Sequence, residues 1–373
     1  MAQKKENACR IHSITVTREP APPPPEESIQ EENQPVLRLT MPPEGKFFHR
    51  DLPSDMQEAI ERIVAGVKEF KDRIDLPSGV DPRQAFRIVN AEWPELFMLD
   101  NRYRYCFTDR VSYLAPQYVC TPEEARESQG VIEKGVSRIV RVARTRPNTV
   151  EKLRYIHNWF AVNQKYDFSE PKPKKRYTPV GVFQDHLAVC AGFARAFQLV
   201  CKRLGIPSGY VFGNTKKIAK VTHAWNIVWI GDSIYHLDLT SAVSQYSSNH
   251  VLGYPCFLQT AEEILRWRFV MEPFPRAENP AGNYLTSLGY RFDSQADLEK
   301  ILRSFSRDQN RRSISLQSGP AFTAADEVQR VLRQALKGFA IGCSYSTFST
   351  GVCVVTKSPR RKKYEARVVK YNG

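Results

Sequence analysis

The chain has 373 residues, of which 42% are hydrophobic, and a formal net charge of +14 at pH 7. This length allows two or three domains with apolar cores, which excludes a wholly disordered protein. No apolar run is long enough to cross a bilayer, and the N-terminal segment MAQKKENACRIHSITVTREP lacks the apolar core of a signal peptide. We therefore expect no membrane span and a protein that is cytoplasmic as synthesised, either a cytosolic enzyme or an effector exported by a dedicated system.

The positive charge is spread along the chain. Its densest runs are KPKKR at 172–176 and RRKK at 360–363, and neither alternates with aromatic residues as in a nucleic-acid module. We interpret these runs as solvated loop and tail segments, and we expect no specific nucleic-acid partner. The oligomeric state is left open.

The cysteines show no spacing typical of a metal site or of a disulfide framework. They form no CxxC pair and stand at positions 9, 106, 120, 190, 201, 256, 343 and 353. We expect most of them to be reduced and buried, and we predict neither a bound metal nor a cofactor.

In chain order, a Pro-rich disordered arm is predicted over 1–46 and a mainly helical region over 47–148. The helical region begins with a predicted capping box, Ser54 with Gln57. Apolar residues follow at helical spacing: Ile60, Ile63, Val64, Val67, Phe70 and Ile74. Further predicted elements are a helix from Asp81-Pro82 to about Ala91, a hairpin over 102–119, a helix from Thr121-Pro122 through Val142 and a helix from Thr149 to about Gln164.

Residues 149–272 are predicted to form a catalytic core of mixed helix and strand, and 273–373 a small α+β accessory domain with a basic tail. The accessory domain alternates between predicted strands and helices: Tyr290 to Phe292, Ser294 to Phe305, Ser313 to Leu316, Thr323 to Lys337, and TGVCVVT. The fold class expected for the chain is α+β.

Cys190 stands at the start of an amphipathic helix in the stretch HLAVCAGFARAFQLVCKRLGIP, and Gly205 ends that helix. The first turn of a helix has unpaired N–H groups and the positive end of the helix dipole. A thiol at this position is therefore biased toward the thiolate. Taken alone, a cysteine at this position is better interpreted as a small buried residue than as a nucleophile.

The stretch VTHAWNIVWIGDSIYHLDLTS predicts a β-hairpin with its turn at 231–232. In that register Trp225 lies opposite Asp238, and His223 lies opposite Thr240. Since side chains alternate between the two faces of a sheet, His223 and Asp238 become diagonal neighbours on one face. A structural pair in a half-buried sheet is the alternative interpretation.

Together, these residues supply the parts of a thiol hydrolase. Cys190 would be the nucleophile, His223 would accept and return a proton, and Asp238 would orient the imidazole and stabilise its charged form.

The segment resembles the transglutaminase-like superfamily in three blocks that agree in order and spacing: VCAGFARAF, HAWNIV and GDSIYHLDLT. The segments YPCFLQTAEEIL and AFRIVNAEWPELFMLD are similar to flanking segments of bacterial members. The resemblance covers residues 150 to 270 firmly and 55 to 150 loosely.

The resemblance implies a papain-like α+β core and the same Cys–His–Asp triad. It also implies an oxyanion site made by the Cys190 N–H and one upstream donor, for which Gln184 and His186 are the candidates. Trp225 would pack beside the catalytic histidine, or it would be an ordinary core aromatic. Ser241 stands where bacterial members often have Trp, which leaves the shape of the acyl-donor cleft open. The chain has no acidic loop of the calcium-binding type, so calcium activation is not implied.

The resemblance does not select one reaction. Water would resolve a thioester into peptide cleavage or deamidation, and a lysine would resolve it into a crosslink. We expect a protein or peptide substrate, with protease or deamidase ahead of transamidase. The alternative is a non-catalytic binding module, or a translocated effector, that holds an acidic or anionic partner.

Overall fold

The computed structural model describes residues 12–13, 52–215, 218–266, 268–270, 276–277, 279, 281–322, 325–337, 343–347 and 352–357. The Pro-rich arm predicted over 1–46 lies outside the described residues except for 12–13, and the basic tail from 358 onward lies outside them as well.

The first part of the fold packs helices against an antiparallel sheet. Its elements are β1 (His12–Ser13), α1 (Ser54–Lys68), β2 (Ile74–Leu76), α2 (Pro82–Glu92), β3 (Leu99–Phe107) and β4 (Ser112–Tyr118). The sheet order is β1-β3-β4-β2. Apolar residues of α1, α2 and the sheet form one core, so the apolar face of α1 is buried within this part of the fold.

The second part contains the candidate site and a five-stranded sheet of order β10-β9-β8-β7-β11. Its helices are α3 (Pro122–Ala143), α4 (Thr149–Asn163), α5 (Pro179–Asp185), α6 (Cys190–Leu204), α7 (Leu239–Asn249) and α8 (Ala261–Leu265), with a 3-10 helix at Lys174–Tyr177. Its strands are β5 (Lys165–Tyr166), β6 (Leu187–Ala188), β7 (Ser208–Thr215), β8 (Ile218–Ile230), β9 (Ser233–Leu237), β10 (Phe257–Gln259) and β11 (Arg268–Val270). The buried residues of α3 share one core with those of α4 and α6.

The third part is a sheet of order β12-β13-β15-β14 with two longer helices. Its elements are α9 (Tyr284–Ser287), β12 (Arg291–Phe292), α10 (Gln295–Arg307), β13 (Ser313–Ser318), α11 (Ala325–Lys337), β14 (Cys343–Thr347) and β15 (Val352–Lys357). The two helices and the sheet share a core of their own. The chain is thus a mixed fold of the α+β class. The exact domain boundaries remain predictions.

Two expectations about the first helix are wrong. Pro53 is the N-cap residue of α1 and gives no side-chain hydrogen bond, so the capping box of Ser54 and Gln57 does not form. The Gln57 amide instead donates to the Leu52 carbonyl at 2.8 Å. α1 ends at Lys68, so Phe70 and Ile74, both predicted for its apolar face, lie outside the helix, and Ile74 belongs to β2.

The capping box predicted at Thr121 and Glu124 is confirmed, with both of its reciprocal hydrogen bonds present. None of the helices in the described part of the chain combines the length and the apolar composition that a membrane crossing needs.

The run KPKKR is only partly a solvated loop. Arg176 is part-buried and pairs through Nε with Asp167 Oδ2 at 2.9 Å and through Nη1 with Asp185. Lys174 pairs with Asp100 at 3.0 Å, and Lys175 pairs with Asp185. The run is therefore largely neutralised by nearby acids, because the 3-10 helix packs its basic side chains against them.

Cys120, Cys190, Cys201, Cys256 and Cys353 are free thiols, as expected for most of the cysteines. Cys106 on β3 differs, because it is disulfide-bonded.

Gly192, the glycine of the CAG sequence, is required by a close approach of backbone to the start of α6. A Cβ atom there would lie 2.6 Å from the Arg176 carbonyl oxygen and 3.0 Å from that of Thr178. Real Cβ atoms do not come that near to backbone oxygen, so any side chain at 192 would push the 3-10 helix away from α6.

We expect Gly192→Ala to lower the free energy of unfolding by about 1–3 kcal/mol, because the added methyl group overpacks a backbone contact. Gly130→Ala is the matched control, since a Cβ at this exposed helical position meets no heavy atom within 4 Å. The control should gain about 0.5–1 kcal/mol, since alanine is the better helix former. Urea unfolding of both variants is the measurement, and equal midpoints would contradict the prediction.

Candidate active site

Cys190 is the first residue of α6, and the backbone N–H groups of that first turn have no side-chain cap. Val189 is the N-cap residue, and its apolar side chain makes no hydrogen bond to the helix. The Val189 N–H itself donates to the Arg176 carbonyl at 3.0 Å, which fixes the entry of the chain into α6. The free N–H groups and the helix dipole therefore favour negative charge beside Cys190.

Two residues of the HAWN sequence hold α6 against the sheet. Ala224 packs with Ala191 and Ala194, and these small side chains let the helix approach β8 closely. The buried Asn226 amide donates to the Ala194 carbonyl at 3.1 Å and to the Gly209 carbonyl at 3.2 Å. The start of α6 is thereby fixed relative to the strand that carries His223.

The predicted hairpin register is confirmed. The β8–β9 pairs run from Asn226 with Leu237 to Ile230 with Ser233, as a turn at 231–232 requires. His223 Nε2 lies 2.9 Å from Asp238 Oδ2. Because Asp238 occupies Nε2, Nδ1 is the ring nitrogen left for the thiol of Cys190.

The predicted hairpin is too long at one end. β9 ends at Leu237, and Asp238 is the N-cap residue of α7, with Oδ1 accepting from the Thr240 N–H at 2.9 Å. Thr240 is therefore in a helix, and the expectation that it pairs with His223 across the hairpin is wrong. The partner of His223 in the sheet is Gly213 of β7.

Arg268, which the sequence analysis missed, completes the surroundings of Asp238. It lies on β11, and its buried guanidinium donates through Nη2 to Asp238 Oδ2. The Ser241 hydroxyl donates to the same oxygen at 3.2 Å. The signal available in the sequence is an arginine between apolar residues in the stretch RWRFV. Its pairing with Asp238 depends on the order of the sheet, which no local pattern reveals.

The charges of the site reinforce one another. Burial alone would lower the pKa of His223, but the Asp238 carboxylate outweighs it and raises the pKa to about 9. Burial likewise raises the pKa of Cys190, but hydrogen bonding to His223, the charge of His223 and the Ala224 N–H bring its net pKa below the ordinary value. Arg268 and His223 hold the pKa of Asp238 far below its usual range against the effect of burial. The arrangement favours a thiolate next to an imidazolium.

Two other buried histidines carry no such charge. Burial lowers the pKa of His157 to about 4 and that of His236 to about 3. His236 Nδ1 accepts from Trp225 Nε1 at 2.9 Å, as a neutral ring can. Of these three histidines, His223 is the one whose pKa is raised and not lowered.

The other predicted site residues lie at different depths. Trp225 stacks on His223, with ring centroids 5.8 Å apart, as expected, and Arg268 lies 5.0 Å above the indole. Trp225 is only 1% exposed, so it packs against His223 from the interior of the protein. Gln184 is exposed at the end of α5. His186 is exposed as well, and its Nδ1 lies 3.2 Å from the amide of Gln164.

Within the described part of the chain, no group of three or more His, Cys, Asp or Glu residues is arranged to hold a metal ion.

Residues 137–239 match the model of the transglutaminase-like superfamily. The chain therefore carries a transglutaminase-like domain, which contains Cys190, His223 and Asp238. Comparison with curated proteins found no match.

Solved structures similar to this chain include a candidate cysteine protease from Cytophaga hutchinsonii, with 18% identity, a TM-score of 0.27 and coverage of 36% of this chain and 53% of that chain. A TGase matches with 15% identity, a TM-score of 0.29 and coverage of 45% and 50%. The periplasmic domain of TgpA from Pseudomonas aeruginosa matches with 14% identity, a TM-score of 0.26 and coverage of 36% and 55%. The chain thus spans about half the length of the structures it matches.

We expect Asp238→Asn to destabilise the fold by about 3–5 kcal/mol, because it leaves the Arg268 charge buried without its carboxylate. Asp238→Asn combined with Arg268→Met should recover part of that loss, since no unpaired charge then remains. Thermal and urea unfolding of the single and double variants measure both effects. The role of the ion pair would be contradicted if the double variant lost more free energy of unfolding than the two single variants lose when their losses are added.

We expect His223→Ala to slow alkylation of Cys190 by iodoacetamide at pH 7 by at least about tenfold. The variant loses the hydrogen bond and the charge that lower the thiol pKa, and each unit of pKa changes the thiolate fraction tenfold. Mass spectrometry distinguishes Cys190 from Cys120, whose pKa burial raises to about 11 and whose slow labelling should not change. Unchanged labelling of Cys190 would contradict the electrostatic coupling.

Proposed function

We propose that this chain is a cysteine hydrolase or acyltransferase that acts on an amide of a protein or peptide through a thioester on Cys190. The observation that carries the proposal is the His223–Asp238 contact of 2.9 Å beside a thiol at the uncapped start of a helix. The opposite pKa shifts of Cys190 and His223 support it, because both favour the reactive ion pair.

In this mechanism the Cys190 thiolate attacks the carbonyl carbon of the amide and forms a C–S bond. The carbonyl electron pair moves to oxygen, and returns when the C–N bond breaks. His223 gives its proton to the leaving nitrogen and becomes neutral. Asp238 keeps Nδ1 of His223 aimed at the sulfur throughout, because Arg268 and the start of α7 hold the carboxylate in place.

The second half of the reaction determines the product. Neutral His223 can accept a proton from water, whose oxygen then displaces sulfur, or from an amine whose nitrogen does so. Water on a glutamine thioester gives deamidation, water on a backbone thioester gives cleavage, and a lysine gives a crosslink. We propose hydrolysis ahead of crosslinking, with cleavage and deamidation both open.

The test is mass spectrometry of β-casein, an unfolded protein rich in glutamine and lysine, after incubation with the parent chain and with Cys190→Ala. A cut, a crosslink or the mass change of replacing an amide NH2 by OH identifies the reaction. We expect Cys190→Ala to lose about a thousandfold or more of the activity, as when one member of a triad is removed.

Cys120→Ala is the matched control, because it removes a half-buried thiol away from the triad and should keep the parent rate. Activity of Cys190→Ala within about tenfold of the parent would overturn the assignment of the nucleophile.

The pH dependence of kcat/KM should be bell-shaped. Activity should rise as Cys190 becomes a thiolate, at a pH below the ordinary pKa of cysteine, and fall as His223 loses its proton near pH 9. A falling limb near the ordinary pKa of histidine would show that Asp238 does not raise the pKa of His223.

A further inference from the structure

Tyr166 lies beside the reactive thiol, and neither the family resemblance nor the predicted site included it. It is in β5, which pairs in parallel with β6, and its partner Ala188 stands two residues before Cys190. Its ring packs against Phe193, one turn into α6, with centroids 6.3 Å apart. This pairing and packing place the phenol beside the first turn of α6, where its hydroxyl group interacts with the Cys190 thiol.

The strand that carries Tyr166 is firmly held. The Lys165 N–H donates to the His186 carbonyl, just before β6, and the Asp167 N–H donates to the Ala188 carbonyl in β6, both at 3.0 Å. The Asp167 carboxylate accepts from Arg176 at 2.9 Å, and Arg176 also donates to the Leu187 carbonyl at 3.2 Å. One part-buried guanidinium therefore fixes both strands, and with them the distance from the phenol to the thiol.

The phenol keeps its proton under the conditions in which the thiol is reactive. Burial and the negative charge of Cys190 raise the pKa of Tyr166. Tyr166 is therefore an O–H donor beside a thiolate, in a part-buried site where such a hydrogen bond is stronger than in water.

We propose that the Tyr166 hydroxyl is the second donor of the oxyanion site, together with the Cys190 N–H, an inference that rests on the proposed function. In the resting state it donates to the Cys190 sulfur. When sulfur bonds to the carbonyl carbon, the electron pair and the negative charge move to the carbonyl oxygen, and the hydrogen bond moves with them. Tyr166 keeps its proton, and none of its covalent bonds breaks. Its hydrogen bond to the carbonyl oxygen is released when the C=O double bond re-forms.

The exposed candidates from the sequence fit this role less well. Gln184 is exposed, and in the described part of the chain it makes no hydrogen bond to Cys190. The His186 ring is turned toward Gln164. The Tyr166 hydroxyl group interacts with the Cys190 thiol, so it is a donor close to the carbonyl oxygen on which the charge develops once sulfur bonds to the carbonyl carbon.

The test compares two reactions of Cys190 in the parent and in Tyr166→Phe. Acylation by p-nitrophenyl acetate passes through an oxyanion, whereas alkylation by iodoacetamide does not. We expect Tyr166→Phe to slow acylation by about 10²-fold, as loss of one oxyanion donor does, and to change alkylation by less than about threefold. Tyr177→Phe, which removes an exposed phenol nearby, should leave both rates unchanged.

Equal slowing of both reactions would overturn the proposal and make Tyr166 a residue that only positions the thiol. Unchanged or faster acylation would also overturn it, because the phenol would then be dispensable or inhibitory. Cys190→Ala in the same assay separates the two proposals: if it is acylated as fast as the parent, the proposed function fails. If Tyr166→Phe does not fold, 3-fluorotyrosine at 166 keeps the ring and a stronger donor, and acylation slower than the parent would contradict the proposal.

Discussion

The buried carboxylate of Asp238 is the constraint on which the rest of the site depends. The side chain is 1% exposed, and a charge at that depth is tolerated only when hydrogen bonds replace its hydration. Those hydrogen bonds come from His223 on β8, from Thr240 and Ser241 at the start of α7, and from Arg268 on β11. Satisfying one charge therefore brings two strands and a helix together, and it fixes the imidazole at the same time.

The sequence predicted the parts of this arrangement that local rules determine. A turn at 231–232 sets the hairpin register, because side chains alternate with period two, and the start of α6 follows from its apolar spacing and its closing glycine. The prediction that Thr240 pairs with His223 was wrong because the strand-like alternation of the sequence continues past Leu237. In the structure, the Asp238 side chain caps α7, so the strand ends before Thr240. Arg268 could not be found locally, since it reaches Asp238 only through the sheet order, in which β11 pairs with β7.

Small residues allow the reactive groups to meet. At Gly213 a Cβ would lie 2.1 Å from the Phe269 carbonyl and 2.7 Å from the Trp225 ring, so only glycine lets β11 and the indole come this close. Gly192 and Ala224 have the same role at the start of α6. These small residues have no reactive group of their own, but they determine how closely the side chains of the candidate site can approach one another.

The histidines show how burial selects the reactive group. Burial by itself lowers the pKa of a histidine, and it keeps His157 and His236 neutral at physiological pH. His223 is the exception, because the carboxylate against its ring is also buried and its attraction is weakly screened. Arg268 moderates that attraction, since its own charge lowers the pKa of His223 while it keeps Asp238 ionised. The pKa of His223 therefore lies above the ordinary value for histidine, but below the value that Asp238 alone would give it.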